Sequence, residues 1–197
     1  MEPAVSVVGL GGSLRKGSTS LAALEITLEA AAKAGASTRL FAVGELDLPM
    51  YRPGMDAPPA AQSLLDAATR AQGMVWSSPL YNGSVSGSFK NVIDWLHLLG
   101  DRDPPYLTDQ VIGLVTTAGG TQALQAINTM EFIVRSLRAW AVPMVLPVAQ
   151  AGRAFDRDGR VRDDTVERQL NALGAEVVRA ARQMAVQGRC DYSQPWQ

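Results

Sequence analysis

The sequence of 197 residues has a single cysteine, Cys190, and a single histidine, His97. One cysteine cannot form an internal disulfide, so nothing in the chain points to an oxidising compartment. No cluster of residues has the spacing of metal ligands, and no nucleophile can be paired with a base. We therefore expect no metal site and no catalytic side chain.

Runs of basic residues and long uncharged apolar spans are also absent. Lys and Arg number 18 against 19 Asp and Glu, a net charge of −1, which argues against nucleic acid and anionic membranes as partners. The N-terminus lacks the pattern of a signal peptide, and no segment has the apolar length of a membrane span. We expect a soluble cytoplasmic protein with neither nucleic-acid nor membrane partners.

Apolar residues make up 47% of the chain, and they alternate between strand and helix patterns. Strands are predicted at 5–10, 38–43, 73–78, 111–117 and 143–148, and helices at 18–34, 60–72, 88–99, 119–140 and 163–186. Such an alternation favours parallel pairing through right-handed crossovers. We predict one α/β domain over 1–187, a small hairpin at 152–162, and a loose tail at 188–197.

The loop after the first strand carries the strongest chemical signal, Gly12-Ser13-Leu14-Arg15-Lys16-Gly17-Ser18-Thr19-Ser20. It leads from a buried strand into a helix, where free backbone N–H groups and the helix dipole favour anions. The hydroxyls of Ser13, Ser18 and Ser20 and the cation of Arg15 suit a terminal phosphate. The alternative is an ordinary serine-rich helix cap with solvated cations.

Two nucleotide-binding motifs fit this loop poorly. A dinucleotide fingerprint that begins Gly9-Leu10-Gly11 needs glycine at Leu14 and an acidic residue at the end of the second strand. A Walker A loop needs lysine where Ser18 stands. A nucleoside triphosphate is therefore an unsuitable ligand, and a single terminal phosphate fits better.

Two further strands end in loops that suit a ligand. After the third strand, Pro79 stiffens the strand exit and Asn82-Gly83 favours positive φ, although an ordinary turn has the same residues. After the fourth strand, Gly119-Gly120 opens a predicted helix. Because the carboxyl ends of parallel strands meet at one edge of a sheet, we expect the three loops to form one site.

Together these segments resemble the NADPH-dependent FMN reductase family. The signature of the family is similar to Pro79-Leu80-Tyr81-Asn82-Gly83-Ser84 followed by Gly87, Lys90-Asn91 and Ile93-Asp94-Trp95. The family's phosphate loop is similar to Gly12-Ser13-Leu14-Arg15 with Ser18. Its third flavin loop is similar to Thr116-Thr117-Ala118-Gly119-Gly120. The likeness spans roughly residues 5–148. Members often have asparagine at the position of Ser20 and serine at Thr116 and Thr117, but each residue found here keeps a hydrogen-bond donor.

The resemblance implies a flavodoxin-like three-layer sandwich with a five-stranded parallel sheet in the order 2-1-3-4-5. It implies an NAD(P)H-dependent FMN reductase, or a related quinone, azo or metal-oxyanion reductase, with FMN and NADPH as cofactors and NADH as an alternative donor. Hydride would pass from NAD(P)H to flavin N5 and on to FMN, quinone or another small acceptor. The alternatives are a non-enzymatic flavodoxin-like electron carrier, disfavoured by the near-neutral charge, and a nucleotide-binding regulatory module without a redox role.

The resemblance also assigns the flavin contacts. The phosphate would be held by Ser13, Arg15, Ser18, Thr19 and Ser20, the ring edge would lie along Pro79, Leu80, Tyr81, Asn82, Gly83 and Ser84, and the pyrimidine end would meet Thr117, Ala118, Gly119 and Gly120. Backbone N–H groups of Gly119 and Gly120, at the predicted helix start, are expected to stabilise negative charge on reduced flavin.

Apolar residues wrap around the 88–99 helix further than one contact requires. One stripe is formed by Phe89, Ile93 and Leu96, and a neighbouring stripe by Val92, Trp95 and Leu99. The resemblance implies dimers or tetramers that pair helices beside the flavin. We therefore predict a homodimer or homotetramer assembled through the 88–99 helix, with the alternative that the second stripe is covered within one chain.

Overall fold

A computed structural model describes residues 4–187 and shows an open sheet of five parallel strands in the order β2-β1-β3-β5-β6. The strands are β1 (Ser6–Gly11), β2 (Ser37–Ala42), β3 (Gly73–Tyr81), β5 (Val111–Thr117) and β6 (Trp140–Val148), and a short strand, β4 (Ser84–Val85), pairs antiparallel with the end of β3. The order of the five parallel strands is the predicted 2-1-3-4-5.

Helices cover both faces of the sheet. They are α1 (Thr19–Lys33), α2 (Val43–Leu46), α3 (Pro59–Arg70), α4 (Gly87–Trp95) with a 3₁₀ turn at Leu96–Leu99, α5 (Leu124–Ser136), α6 (Ala151–Ala154) and α7 (Asp164–Gln187). Successive residues of β3 face opposite layers: Val75 packs with α1 and α7, and Trp76 packs with α3, α4 and α5. The three-layer prediction is confirmed. Along residues 4–187, no helix combines the length and apolarity needed to cross a bilayer.

Hydrogen bonds join the carboxyl ends of neighbouring strands in the sheet. The Gly12 N–H donates to the Ser77 carbonyl at 3.0 Å, and the Ala118 N–H donates to the Val148 carbonyl at 2.9 Å. The Thr116 hydroxyl donates to the Ser78 carbonyl at 2.8 Å. The loops that follow β1, β3 and β5 therefore leave the sheet side by side, which positions the site.

The prediction that the third strand ends at 78 and is followed by a loop is wrong in part, because β3 continues to Tyr81. Leu80 and Tyr81 pair with Val85 and Ser84, so this segment is a hairpin. Its turn has φ of 49° at Asn82 and 84° at Gly83, as the Asn-Gly pair indicates.

The prediction of a helix over 119–140 is wrong at both ends. Helix α5 begins only at Leu124, so Gly119 and Gly120 lie in an irregular segment before it. Its carboxyl end is followed by Arg138, with φ of 63°, and then Trp140 begins β6. The Trp140 N–H donates to the Gln110 carbonyl at 2.9 Å, so pairing beside β5 replaces the helix there.

The stripe predicted to be free on the 88–99 helix is covered within the chain. Val92, Trp95 and Leu99 are buried, and the Trp95 indole N–H donates to the Pro49 carbonyl at 3.1 Å. The Tyr51 ring packs edge-on against the Trp95 ring, with centroids 5.3 Å apart. The segment after β2 therefore occupies the surface that was assigned to a second copy.

The region 152–162 is a turn with less strand pairing than predicted. Its pairing is a single antiparallel bridge between Phe155 and Val161, and α6 occupies its start. The predicted loose tail at 188–197, with Cys190, lies outside the described residues.

Candidate functional site

The loop between β1 and α1 gathers hydroxyl groups at the start of a helix. Ser18 caps α1, and its hydroxyl accepts from the Leu21 N–H at 3.4 Å and lies 2.7 Å from the Ser20 hydroxyl. The Ser13 hydroxyl accepts from the Arg15 N–H at 3.2 Å. Three serine hydroxyls are thereby held in place beside the first turn of α1.

The electrostatics of this loop favour an anion. The first turn of α1 contains no acidic residue, so nothing there neutralises the positive end of a 15-residue helix. The side chain of Arg15 is exposed, and no ion pair within residues 4–187 engages it. Ser13, Ser18 and Ser20 are buried, so an anion that reaches them would be shielded from water.

A cleft of about 380 Å³, here called the flavin cleft, lies where the three loops meet. The Thr19 hydroxyl donates to the Thr117 hydroxyl at 3.1 Å, which ties the first loop to the third. The predicted residues that line it are Ser13, Arg15, Ser18, Thr19, Ser20, Pro79, Leu80, Tyr81, Thr117, Ala118 and Gly119. Residues far apart in the sequence are thus brought together at the edge where a ligand was predicted.

Four predicted site residues do not line the flavin cleft. Asn82 and Gly83 form the β3–β4 turn, and Ser84 begins β4, where its hydroxyl lies 3.3 Å from that of Thr129 on α5. Gly120 lies just past the lining, and its carbonyl accepts from the Gln150 N–H at 2.9 Å. The helix dipole expected at Gly119 and Gly120 is also missing, because α5 begins further along.

The cleft has two lining residues that the sequence analysis missed, Ala151 and Gly152. They follow the carboxyl end of β6, and the Ala151 N–H donates to the Ala118 carbonyl at 2.8 Å. The available signal was positional: a glycine shortly after a fifth parallel strand lies at the same sheet edge as the other loops.

The flavin cleft suits FMN by its donor set. Its phosphate end offers buried hydroxyls, an arginine and a helix start, and its wall offers the apolar faces of Pro79, Leu80 and Tyr81. A Cβ added at Gly119 or Gly152 would meet no atom within 4 Å, so space is open beside these two backbones. No carboxylate is among the lining residues, so the anionic phosphate would meet no like charge there.

Comparisons of the sequence with a family model and with known proteins point to the same family. The sequence model of the NADPH-dependent FMN reductase family matches residues 5–153. The NADPH-dependent FMN reductase ArsH of Shigella flexneri is 30% identical over 177 residues, 90% of this chain and 69% of that protein. The NAD(P)H-dependent FMN reductase PA1204 of Pseudomonas aeruginosa is 30% identical over 184 residues, 88% of this chain and 95% of that protein. The chain spans about half of two other ArsH relatives, 53% and 52% of their lengths.

Solved structures agree on the fold. The flavoenzyme NAD(P)H:(acceptor) oxidoreductase FerB of Paracoccus denitrificans superposes with a TM-score of 0.74 at 22% identity, covering 91% of this chain and 98% of that one. The WrbA-like flavodoxin of Agrobacterium tumefaciens superposes with a TM-score of 0.67 at 19% identity, covering 92% and 99%. The fold is therefore flavodoxin-like.

Proposed function

This chain belongs to the NADPH-dependent FMN reductase family, and on that premise we propose that it is an FMN-dependent NAD(P)H oxidoreductase. The observation that carries the proposal is the flavin cleft, in which a phosphate-binding loop, an apolar wall and an open glycine backbone meet. FMN, when bound, would accept hydride from NAD(P)H and pass electrons to free FMN, a quinone or another small acceptor.

The residues of the flavin cleft have separate tasks in this proposal. Ser13, Ser18 and Ser20 donate to the phosphate, and Arg15 adds a charge-assisted bond from the solvent side. Pro79, Leu80 and Tyr81 supply the apolar wall along the ring edge. Since these groups bind and orient, no side chain of this chain needs to take a proton or form a covalent bond.

The third loop would act through its backbone. Thr117, Ala118 and Gly119 line the flavin cleft, Gly120 follows them, and the sequence-based assignment puts the pyrimidine end of the ring against these four residues. The Ala118 N–H already donates to the Val148 carbonyl, so the N–H groups of Gly119 and Gly120 are the donors we assign to the pyrimidine end of the ring. The prediction of ring-edge contacts also covers Asn82, Gly83 and Ser84, although these three residues do not line the flavin cleft.

An anaerobic spectral titration tests the function. The purified protein is supplied with FMN, freed of unbound flavin, and mixed with NADPH and separately with NADH. Rapid bleaching of the yellow absorbance is expected, with electrons then recovered in added FMN or quinone. Bound flavin that neither nucleotide reduces would indicate an electron carrier, and a protein that takes up no FMN would indicate a nucleotide-binding module.

Arg15→Ala tests the phosphate assignment. We expect FMN binding to weaken by roughly 1.5–3 kcal/mol, because a hydrogen bond to a doubly charged phosphate is lost. Riboflavin, which has no phosphate, should lose far less affinity, and fluorescence titration measures both ligands. Equal losses for FMN and riboflavin would refute the phosphate contact.

We also propose that the protein assembles as a homodimer or homotetramer. The contact cannot be the Val92, Trp95 and Leu99 stripe, which is buried within one chain. Exposed large side chains lie instead on α5 and at the start of β6, where Phe132 and Trp140 line one shallow hollow. A second copy seated there would remove both aromatic rings from water.

A further inference from the structure

A second and larger cleft, of about 720 Å³, adjoins the flavin cleft on the outer side of the phosphate loop. We call it the basic cleft. It is lined by residues 15–17 of the loop, Thr19, Gly152, residues 155–158 and Arg162. Arg15, Thr19 and Gly152 line both clefts, so the two clefts are direct neighbours.

The far wall of the basic cleft is a well-anchored turn. Phe155 is buried in the core, and the Asp156 carboxylate accepts from the N–H groups of Arg160 and Asp158, each at 2.9 Å. The hydrogen bond from Arg160, followed by that from Asp158 and by the nearby arginines, outweighs desolvation and lowers the pKa of Asp156, so this carboxylate is ionised at neutral pH and stays bonded to its own turn.

This turn is seated against the phosphate loop and α1. A Cβ added at Gly17 would come within 3.4 Å of the Arg157 carbonyl oxygen, and one added at Gly159 would lie 3.4 Å from the Ala22 Cβ. The turn and the phosphate loop are therefore in close contact, and Arg157 lines the same cleft as the loop cations Arg15 and Lys16.

The charges of the basic cleft do not cancel. Asp156 lies 3.9 Å from Arg162, and Asp158 lies 3.7 Å from Arg160, so each carboxylate has an arginine of its own. Among residues 4–187, no carboxylate pairs with Arg15, Lys16 or Arg157. Three cations that line one cleft without a paired carboxylate suit an anion of more than one charge.

We propose that the basic cleft binds a phosphate monoester, and specifically the 2′-phosphate on the adenosine of NADPH, while FMN occupies the adjoining flavin cleft. This inference rests on the proposed function, which requires a reduced dinucleotide and a flavin together. Because the two clefts share Arg15, Thr19 and Gly152, one dinucleotide would extend from the flavin into the basic cleft, with Arg15 between the two phosphates. NADH has no 2′-phosphate, so Lys16 and Arg157 would set the preference between the two donors.

Equilibrium binding of adenosine 2′,5′-bisphosphate to the FMN-loaded protein tests this without any turnover. Calorimetry should show at least about tenfold tighter binding than for adenosine 5′-monophosphate. Arg157→Ala and Lys16→Ala should each lose about tenfold or more for the bisphosphate and little for the monophosphate. In steady-state assays, the same variants should raise the KM for NADPH and leave the KM for NADH nearly unchanged.

Arg153→Ala is the matched control, because it removes the same charge from α6, where the side chain bonds Gln150 outside the cleft. It should leave the bisphosphate affinity close to the wild-type value. Equal binding of the two nucleotides to the wild type, or unchanged selectivity in Arg157→Ala, would overturn the inference. Inorganic phosphate binding as tightly as the bisphosphate would reassign the cleft to free phosphate, and displacement of FMN by the bisphosphate would reassign the binding to the flavin cleft. A wild type that binds no FMN or oxidises neither NADPH nor NADH would instead refute the proposed function.

Discussion

Trp95→Glu is expected to unfold the protein and not merely to dissociate an assembly. Trp95 is fully buried, its indole N–H donates to the Pro49 carbonyl, and its ring packs against Tyr51. Loss of a buried tryptophan side chain costs about 3–5 kcal/mol, and an unpaired buried carboxylate adds several more. Since domains are typically stable by about 5–15 kcal/mol, the variant should be largely unfolded or strongly destabilised.

Urea denaturation followed by circular dichroism measures this effect, with Phe132→Glu as the matched control. Phe132 is 72% exposed, so the same charge there should leave the denaturation midpoint almost unchanged. Light scattering on Phe132→Glu then reports assembly separately, and smaller particles than the wild type are expected if α5 forms the contact. A Trp95→Glu variant with wild-type stability would contradict the burial of Trp95 within one chain.

Gly11→Ala is expected to destabilise the protein by about 2–5 kcal/mol and to lower FMN affinity with it. The φ of Gly11 is 154°, and an added Cβ would overlap the carbonyl oxygen of Ser77 in the neighbouring strand. That oxygen also accepts the Gly12 N–H at 3.0 Å, so it cannot move away without loss of the bond that begins the phosphate loop. The protein loses stability because the added Cβ would overlap backbone atoms of Ser77, and no change of side-chain rotamer removes that overlap.

Two other glycines make this test specific. A Cβ at Gly9 would meet the end of the Leu28 side chain, which can shift, so Gly9→Ala should cost less than Gly11→Ala. At Gly119 a Cβ would meet nothing within 4 Å, so Gly119→Ala should leave the unfolding free energy nearly unchanged. Chemical denaturation ranks the three variants, and a Gly11→Ala protein as stable as Gly119→Ala would contradict the close approach of β1 and β3.

Much of the architecture could be predicted because its determinants are local. Val5 to Leu10 is a mainly apolar run typical of a strand buried on both faces, and Ser18 caps α1. The helix around Gly119 and Gly120 was placed too early, since a glycine pair permits several backbone conformations equally well. The start of β6 was placed at 143 instead of Trp140, because its first residues are stabilised by pairing beside β5 and not by their own periodicity.

The sequence by itself determined the parallel α/β topology, the hydroxyl-rich loop before α1 and the family, because apolar period, helix caps and glycine-rich turns act over a few neighbouring residues. Only the tertiary structure decided which surfaces are free. Trp95 is covered by Pro49, 46 positions earlier, and the stripe it belongs to is therefore core. Likewise, Arg157 lines the same cleft as the cations of the phosphate loop only because the chain returns past β6 in the folded protein. Neither segment by itself therefore predicts the basic cleft. Burial and charge convergence depend on contacts between distant segments, and the backbone path of the folded chain sets those contacts.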